Sequence, residues 1–272
     1  MRRARRRGSA TALLLVALVA TGCTDDPAPE NDALTGLLGD LRDDPAAARA
    51  FLVADDTAAT AEVADEAGLP AEGRVTALLT DDTLQTGDAA DDLAATLTAG
   101  MSDAGGATEP DRARVVREVV LAWEGDPSFD DDVRTAAAGV VADDLEPAYD
   151  DLVRAAEGET WPESSTRSFL VDAGRDAPSR AALHASLLAG LGTRLVPTPA
   201  SRLEATTDEV GVPAGRLVGA LDSDTGDADL LAADRDELEG LLRDWLQRNG
   251  ADEEQVTNFA GDVGQAYAEE IG

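Results

Sequence analysis

Lysine is absent from all 272 residues, so each of the 22 basic side chains is an arginine. Its absence excludes Schiff-base chemistry, phosphate loops ending in Gly-Lys and the Ser-x-x-Lys nucleophile. There is one cysteine, Cys23, which excludes an internal disulfide, and one histidine, His184. With so few sulfur and imidazole donors, a transition-metal site would have to rest on carboxylates, which argues against zinc or copper. Nothing in the chain implies a cofactor. Aromatic residues make up only 3% of the sequence, which leaves Leu, Val and Ala to build the core. Such a core suits closely packed helices, whereas strands favour β-branched and aromatic residues. The apolar run at residues 10–22 falls short of the roughly 20 residues needed to cross a hydrocarbon core.

What the chain does have is negative charge: 55 acidic residues give it a formal charge of −33. Five arginines (2, 3, 5, 6 and 7) precede Cys23 and no acidic residue does, so the part from Cys23 onward carries −38. Nucleic-acid binding is excluded on this ground, because neutralising phosphates requires a basic patch. An anionic membrane surface would also repel this body.

Residues 1–22 combine a basic start, an apolar stretch and small residues at the end, which is the pattern of a secretory signal. Cys23 directly after Thr21-Gly22 resembles the lipobox of bacterial lipoproteins, although Ala20 stands where leucine is more common. The resemblance implies acylation of Cys23, cleavage before it and attachment to the extracytoplasmic face of the cell membrane. Acyl chains would also remove a free thiol from an oxidising compartment, and two or more of them anchor stably. The alternative is ordinary secretion with Cys23 incidental. Residues 23–31, with two prolines and no apolar periodicity, read as a tether; residues 24–31 would span about 25 Å at most when extended.

Helical periodicity dominates residues 32–272. Leu34, Leu37, Leu38 and Leu41 form an i, i+3, i+4, i+7 stripe behind an Asn31/Asp32 cap. Pro45, Pro70, Pro110, Pro147 and Pro178 stand at plausible helix starts. Val115, Val116, Val119, Val120 and Trp123 share one side of the Pro110 helix, and Ser128 with Asp131 reads as a capping box. Gly211 and Pro213 interrupt a segment at 202–221, and Gly250 ends a Leu-rich segment at 227–248. The pattern predicts an all-α fold, an irregular bundle of about ten to twelve short-to-medium helices, with a possible sub-boundary at residues 158–162.

Four sets of residues are candidates for chemistry. His184 lies mid-helix in an Ala/Leu-rich segment and reads as a packed or half-exposed side chain. Gly100-Met101-Ser102-Asp103-Ala104 approaches a nucleophile elbow, but the fifth residue is alanine and a helix precedes it where a strand is required. Asp222, Asp224, Asp227 and Asp229 read either as an interhelical turn whose aspartates cap the following helix or as an external acidic loop that could bind calcium weakly. An EF-hand would need glycine at the position of Asp227 and glutamate at that of Ala233. Asp130-Asp131-Asp132, Asp143-Asp144 and Asp150-Asp151 read as solvated faces rather than facing acids, because neighbours on a helix point about 100° apart.

Residues 36–52, Gly-Leu-Leu-Gly-Asp-Leu-Arg-Asp-Asp-Pro-Ala-Ala-Ala-Arg-Ala-Phe-Leu, resemble a segment of an uncharacterised helical domain. That domain follows the WXG-type hairpin in actinobacterial proteins linked to type VII secretion. Residues 168–183, Ser-Phe-Leu-Val-Asp-Ala-Gly-Arg-Asp-Ala-Pro-Ser-Arg-Ala-Ala-Leu, are similar to a later stretch of it. The WXG hairpin itself is missing, and no catalytic residue is implied. The expectation is therefore a non-enzymatic lipoprotein that contacts an envelope or secretion-system protein. The alternative is a ligand- or calcium-binding lipoprotein.

Overall fold

The computed structural model describes residues 32–124 and 129–272. The lipobox, Cys23, the tether, Asn31 and Ser128 lie outside the described residues. The described residues form one compact unit, and no strand occurs among them. The helices are α1 (Asp32–Leu41), α2 (Pro45–Leu52), α3 (Ala58–Glu66), α4 (Arg74–Leu79), α5 (Gly87–Met101), α6 (Glu109–Leu121) and α7 (Asp131–Glu157). They continue with α8 (Ser165–Ala173), α9 (Ala177–Arg194), α10 (Leu203–Thr206), α11 (Val212–Asp222), α12 (Ala228–Arg248) and α13 (Glu253–Ile271). A π-helical turn, Thr207–Gly211, joins α10 to α11 without a break. The expected all-α class is what the chain adopts.

Short polar side chains start most of these helices by accepting otherwise orphaned amide N–H groups. Asp44 caps α2, Thr57 α3, Ser164 α8, Asp176 α9 and Asp227 α12. Full capping boxes, Thr108 with Asp111 and Asp252 with Gln255, open α6 and α13.

Three expectations about helix starts need correction. The cap of α7 is Asp130, which accepts from the Asp132 N–H, and Asp131 is already the first helical residue. Pro70 does not open a helix: α4 begins at Arg74, after Gly73 takes a left-handed conformation (φ 76°). Pro147 does not open a free-standing helix: two helical segments meet within α7 at Asp144, which leaves helical geometry (φ −116°, ψ 19°), and Pro147 lies in the first turn of the second. Proline removes one helical hydrogen bond and crowds the preceding turn, so a kink there is its expected cost. Helix α3, unanticipated from the periodicity, buries little beyond Ala64.

The long α7 is the organising element, packed against α5, α6, α8, α9 and α11, while α11 also lies on α8, α9 and α13. Gly215 and Gly219 let α11 approach α13 closely: a Cβ at either would come within 2.6 Å of a backbone oxygen of α13. The apolar cluster runs unbroken from Leu34 to Tyr267, so residues 158–162 do not separate two cores. All three indole N–H groups are satisfied, Trp123 by Asp172, Trp161 by Glu270 and Trp245 by the Val196 carbonyl. Among the described residues no helix is long and apolar enough to cross a membrane.

Candidate functional site

A buried polar cluster lies where α9, α11, α12 and α13 meet. Arg180 and His184 are one turn apart on α9, and Asp234 and Glu237 stand three apart on α12, so each pair shares a helix face. Asp222 ends α11, and Tyr267 faces it from α13. The Arg180 guanidinium donates through Nη1 to Asp222 Oδ1 at 2.7 Å and to Asp234 Oδ2 at 2.5 Å. The Tyr267 hydroxyl lies 3.0 Å from Asp222 Oδ2 and 3.1 Å from the Leu231 carbonyl.

This cluster is short of positive charge, since one guanidinium serves two buried carboxylates. Burial pushes the Asp222 carboxyl up, Arg180 pulls it back, and the neighbouring Asp234 charge adds to the rise. Burial and then the Asp222 charge also push the Tyr267 phenol well above its ordinary range. His184 sits at the edge with 8% of its surface exposed. Its Nε2 atom is buried, makes no hydrogen bond and lies 3.7 Å from Asp234 Oδ1.

A second feature is a cleft of about 470 Å³ between α6, α7 and the start of α8. Val116, Val120, Leu152 and Ala155 give it apolar walls, and Arg117 pairs with Asp151 across its rim at 3.6 Å. Leu121 on the same rim is 51% exposed, unusual for a large apolar side chain in this chain.

The acidic residues singled out from the sequence end up in separate structural roles. Asp222 is not in an external loop: it is wholly buried at the end of α11 and bound by Arg180 and Tyr267. Asp224 pairs with Arg175, Asp227 caps α12, and Asp229 is exposed in its first turn. The four do not converge on one point. The pair Asp143-Asp144 is also not a solvated face, because Asp144 is buried at the kink of α7 and paired with Arg112. The remaining acidic runs do face water or bind nearby arginines: Asp131 pairs with Arg134, Asp150 with Arg194, and Asp151 with Arg154.

Ser102 follows the helix α5 and donates its hydroxyl to the Ala99 carbonyl at 2.6 Å, with no hydrogen bond to His184. The elbow geometry is therefore not formed.

The His184–Asp234–Glu237 grouping was not recognised in the sequence. The i, i+4 and i, i+3 spacings were visible, but in a chain with 55 acidic residues such spacings recur everywhere. Only the packing of α9 beside α12 selects these three. Comparison with known proteins returns no matching family model, no matching curated protein and no matching solved structure.

Proposed function

We propose that the chain is a lipid-anchored lipoprotein of the extracytoplasmic face of the cell membrane, acting through protein contacts rather than catalysis. The observation that carries this reading is Cys23, the single thiol, placed directly after a basic and apolar leader and ahead of a body of charge −38. The like charge of the body and an anionic lipid surface keeps the two apart, so attachment falls to the acyl chains. The likeness of residues 36–52 and 168–183 to a type VII secretion-associated domain supports an envelope or secretion-system protein as partner. The cleft with Leu121 at its rim supports a surface made for contact.

The test is crosslinking in intact cells followed by recovery from membrane extracts, with a Cys23→Ser variant as comparison. A discrete partner captured with the native chain and lost with Cys23→Ser is the expected result. Capture of no partner, together with substrate turnover by the purified protein, overturns it.

The second reading is a ligand-binding lipoprotein, favoured by the same cleft. Displacement of an apolar fluorescent probe, abolished by Val120→Trp, would establish it.

A further inference from the structure

We propose that His184, Asp234 and Glu237 form a binding site for a divalent transition metal of the zinc type. One donor atom from each residue lies within 4.8 Å of the other two. The separation of His184 Nε2 from Asp234 Oδ1, 3.7 Å, is the informative number. It is too long for an imidazole–carboxylate hydrogen bond. It is close to the distance of about 3.4 Å that separates two ligands on a tetrahedral zinc with bonds of 2.0–2.2 Å. The pair is thus spaced as two ligands of a common ion are spaced.

Three further features fit an ion at this point. His184 is more than nine-tenths buried, and its Nε2 atom has no hydrogen-bond partner. Leaving such a group unsatisfied is costly, and a metal would satisfy it. Arg180 occupies Asp234 Oδ2 and leaves Oδ1 turned toward the imidazole. Arg180 thereby acts as an outer partner that orients a ligating carboxylate, as metal sites commonly require. The cluster also holds two buried carboxylates against one guanidinium, so an added cation meets a charge deficit rather than an excess.

Glu237 completes the set from the solvent side, where it is exposed and free to swing by the ångström or so that closure needs. An imidazole nitrogen with two carboxylate oxygens selects zinc and its first-row neighbours over calcium or magnesium, which prefer oxygen ligands alone. The fourth position would face water beside Glu237. A count of histidines and cysteines argued against such a site. One histidine suffices when the fold brings two carboxylates to it.

The experiment is calorimetric titration of Zn2+ into the full chain, purified in detergent and stripped with chelator. Excess Mg2+ is present to occupy the acidic surface. One equivalent of Zn2+ is expected to bind, with a rise in melting temperature. His184→Ala and Glu237→Gln should each weaken binding by about 10-fold or more, the scale that even outer-shell partners carry. Asp236→Asn, an exposed neighbour outside the set, should leave it unchanged. Glu237 is exposed, so its substitution reports on binding without disturbing the core. Co2+ in place of Zn2+ should give visible absorption that His184→Ala removes. No Zn2+ binding by the native chain overturns the site. Binding that survives both substitutions identifies adsorption to the acidic surface and overturns it equally.

Discussion

Glu118 on α6 accepts the backbone N–H of Val75 at 2.9 Å and so closes the start of α4 from 43 residues away. Its other oxygen accepts the Gly73 N–H at 3.2 Å and a hydrogen bond from Arg114 at 2.9 Å. Helix α4 has no side-chain cap of its own. Glu118→Ala should therefore cost about 2–3 kcal/mol, since it leaves buried donors unpaired. Urea unfolding measures the loss, and hydrogen exchange should show the Val75 amide opening first.

Arg180 neutralises part of the charge on Asp222 and Asp234 in a region shielded from water. Removing one partner of such a group is far worse than never having built it. Arg180→Ala should destabilise the fold by about 3–5 kcal/mol at neutral pH. The double change Arg180→Met with Asp222→Asn should recover part of that in the same unfolding assay, because less charge is then stranded.

Tyr149 presents the opposite case. Its ring lies under Arg194 and packs against Gly190, where a Cβ would come within 2.3 Å of Cδ2, but its buried hydroxyl has no partner. Tyr149→Phe should be neutral or stabilising by up to about 1 kcal/mol, since it removes an unsatisfied group. Gly190→Ala should cost about 1–3 kcal/mol through overpacking. Paired melting curves of the two variants decide the matter.

Asp176 at the start of α9 accepts from the Ser179 hydroxyl at 2.6 Å and from its backbone N–H at 2.9 Å. These two bonds hold its carboxyl below the usual range. A group whose pKa is lower folded than unfolded contributes stability above its unfolded value and loses it as pH falls through its folded value. Stability should thus decline on acidification below about pH 4. Asp176→Asn should flatten that limb in acid-titrated unfolding curves, while Asp176→Ala should cost about 1 kcal/mol at neutral pH.

The fold class was legible because helix periodicity needs only neighbours along the chain. The stripe Leu34–Leu38–Leu41 and the Val115–Val116–Val119 face were both buried as the spacing implied. The proline starts were legible as well: Pro45 is the first residue of α2, and Pro110 and Pro178 stand second in α6 and α9. What the chain order hid was set at long range. The start of α4 depends on Glu118, Asp222 is buried because Arg180 reaches it, and His184 gains meaning only beside α12. Carboxylates were too numerous for spacing alone to say which ones are drawn inside. The alanines of α3 carry too little apolar contrast to mark a face.

The proposed anchoring of this acidic bundle through Cys23 is tested most directly by intact-mass measurement of the protein recovered from membranes and from the medium. The predicted result is a chain starting at Cys23 that carries a diacylglyceryl group on its sulfur. A product with an unmodified thiol, recovered from the culture medium, would contradict it.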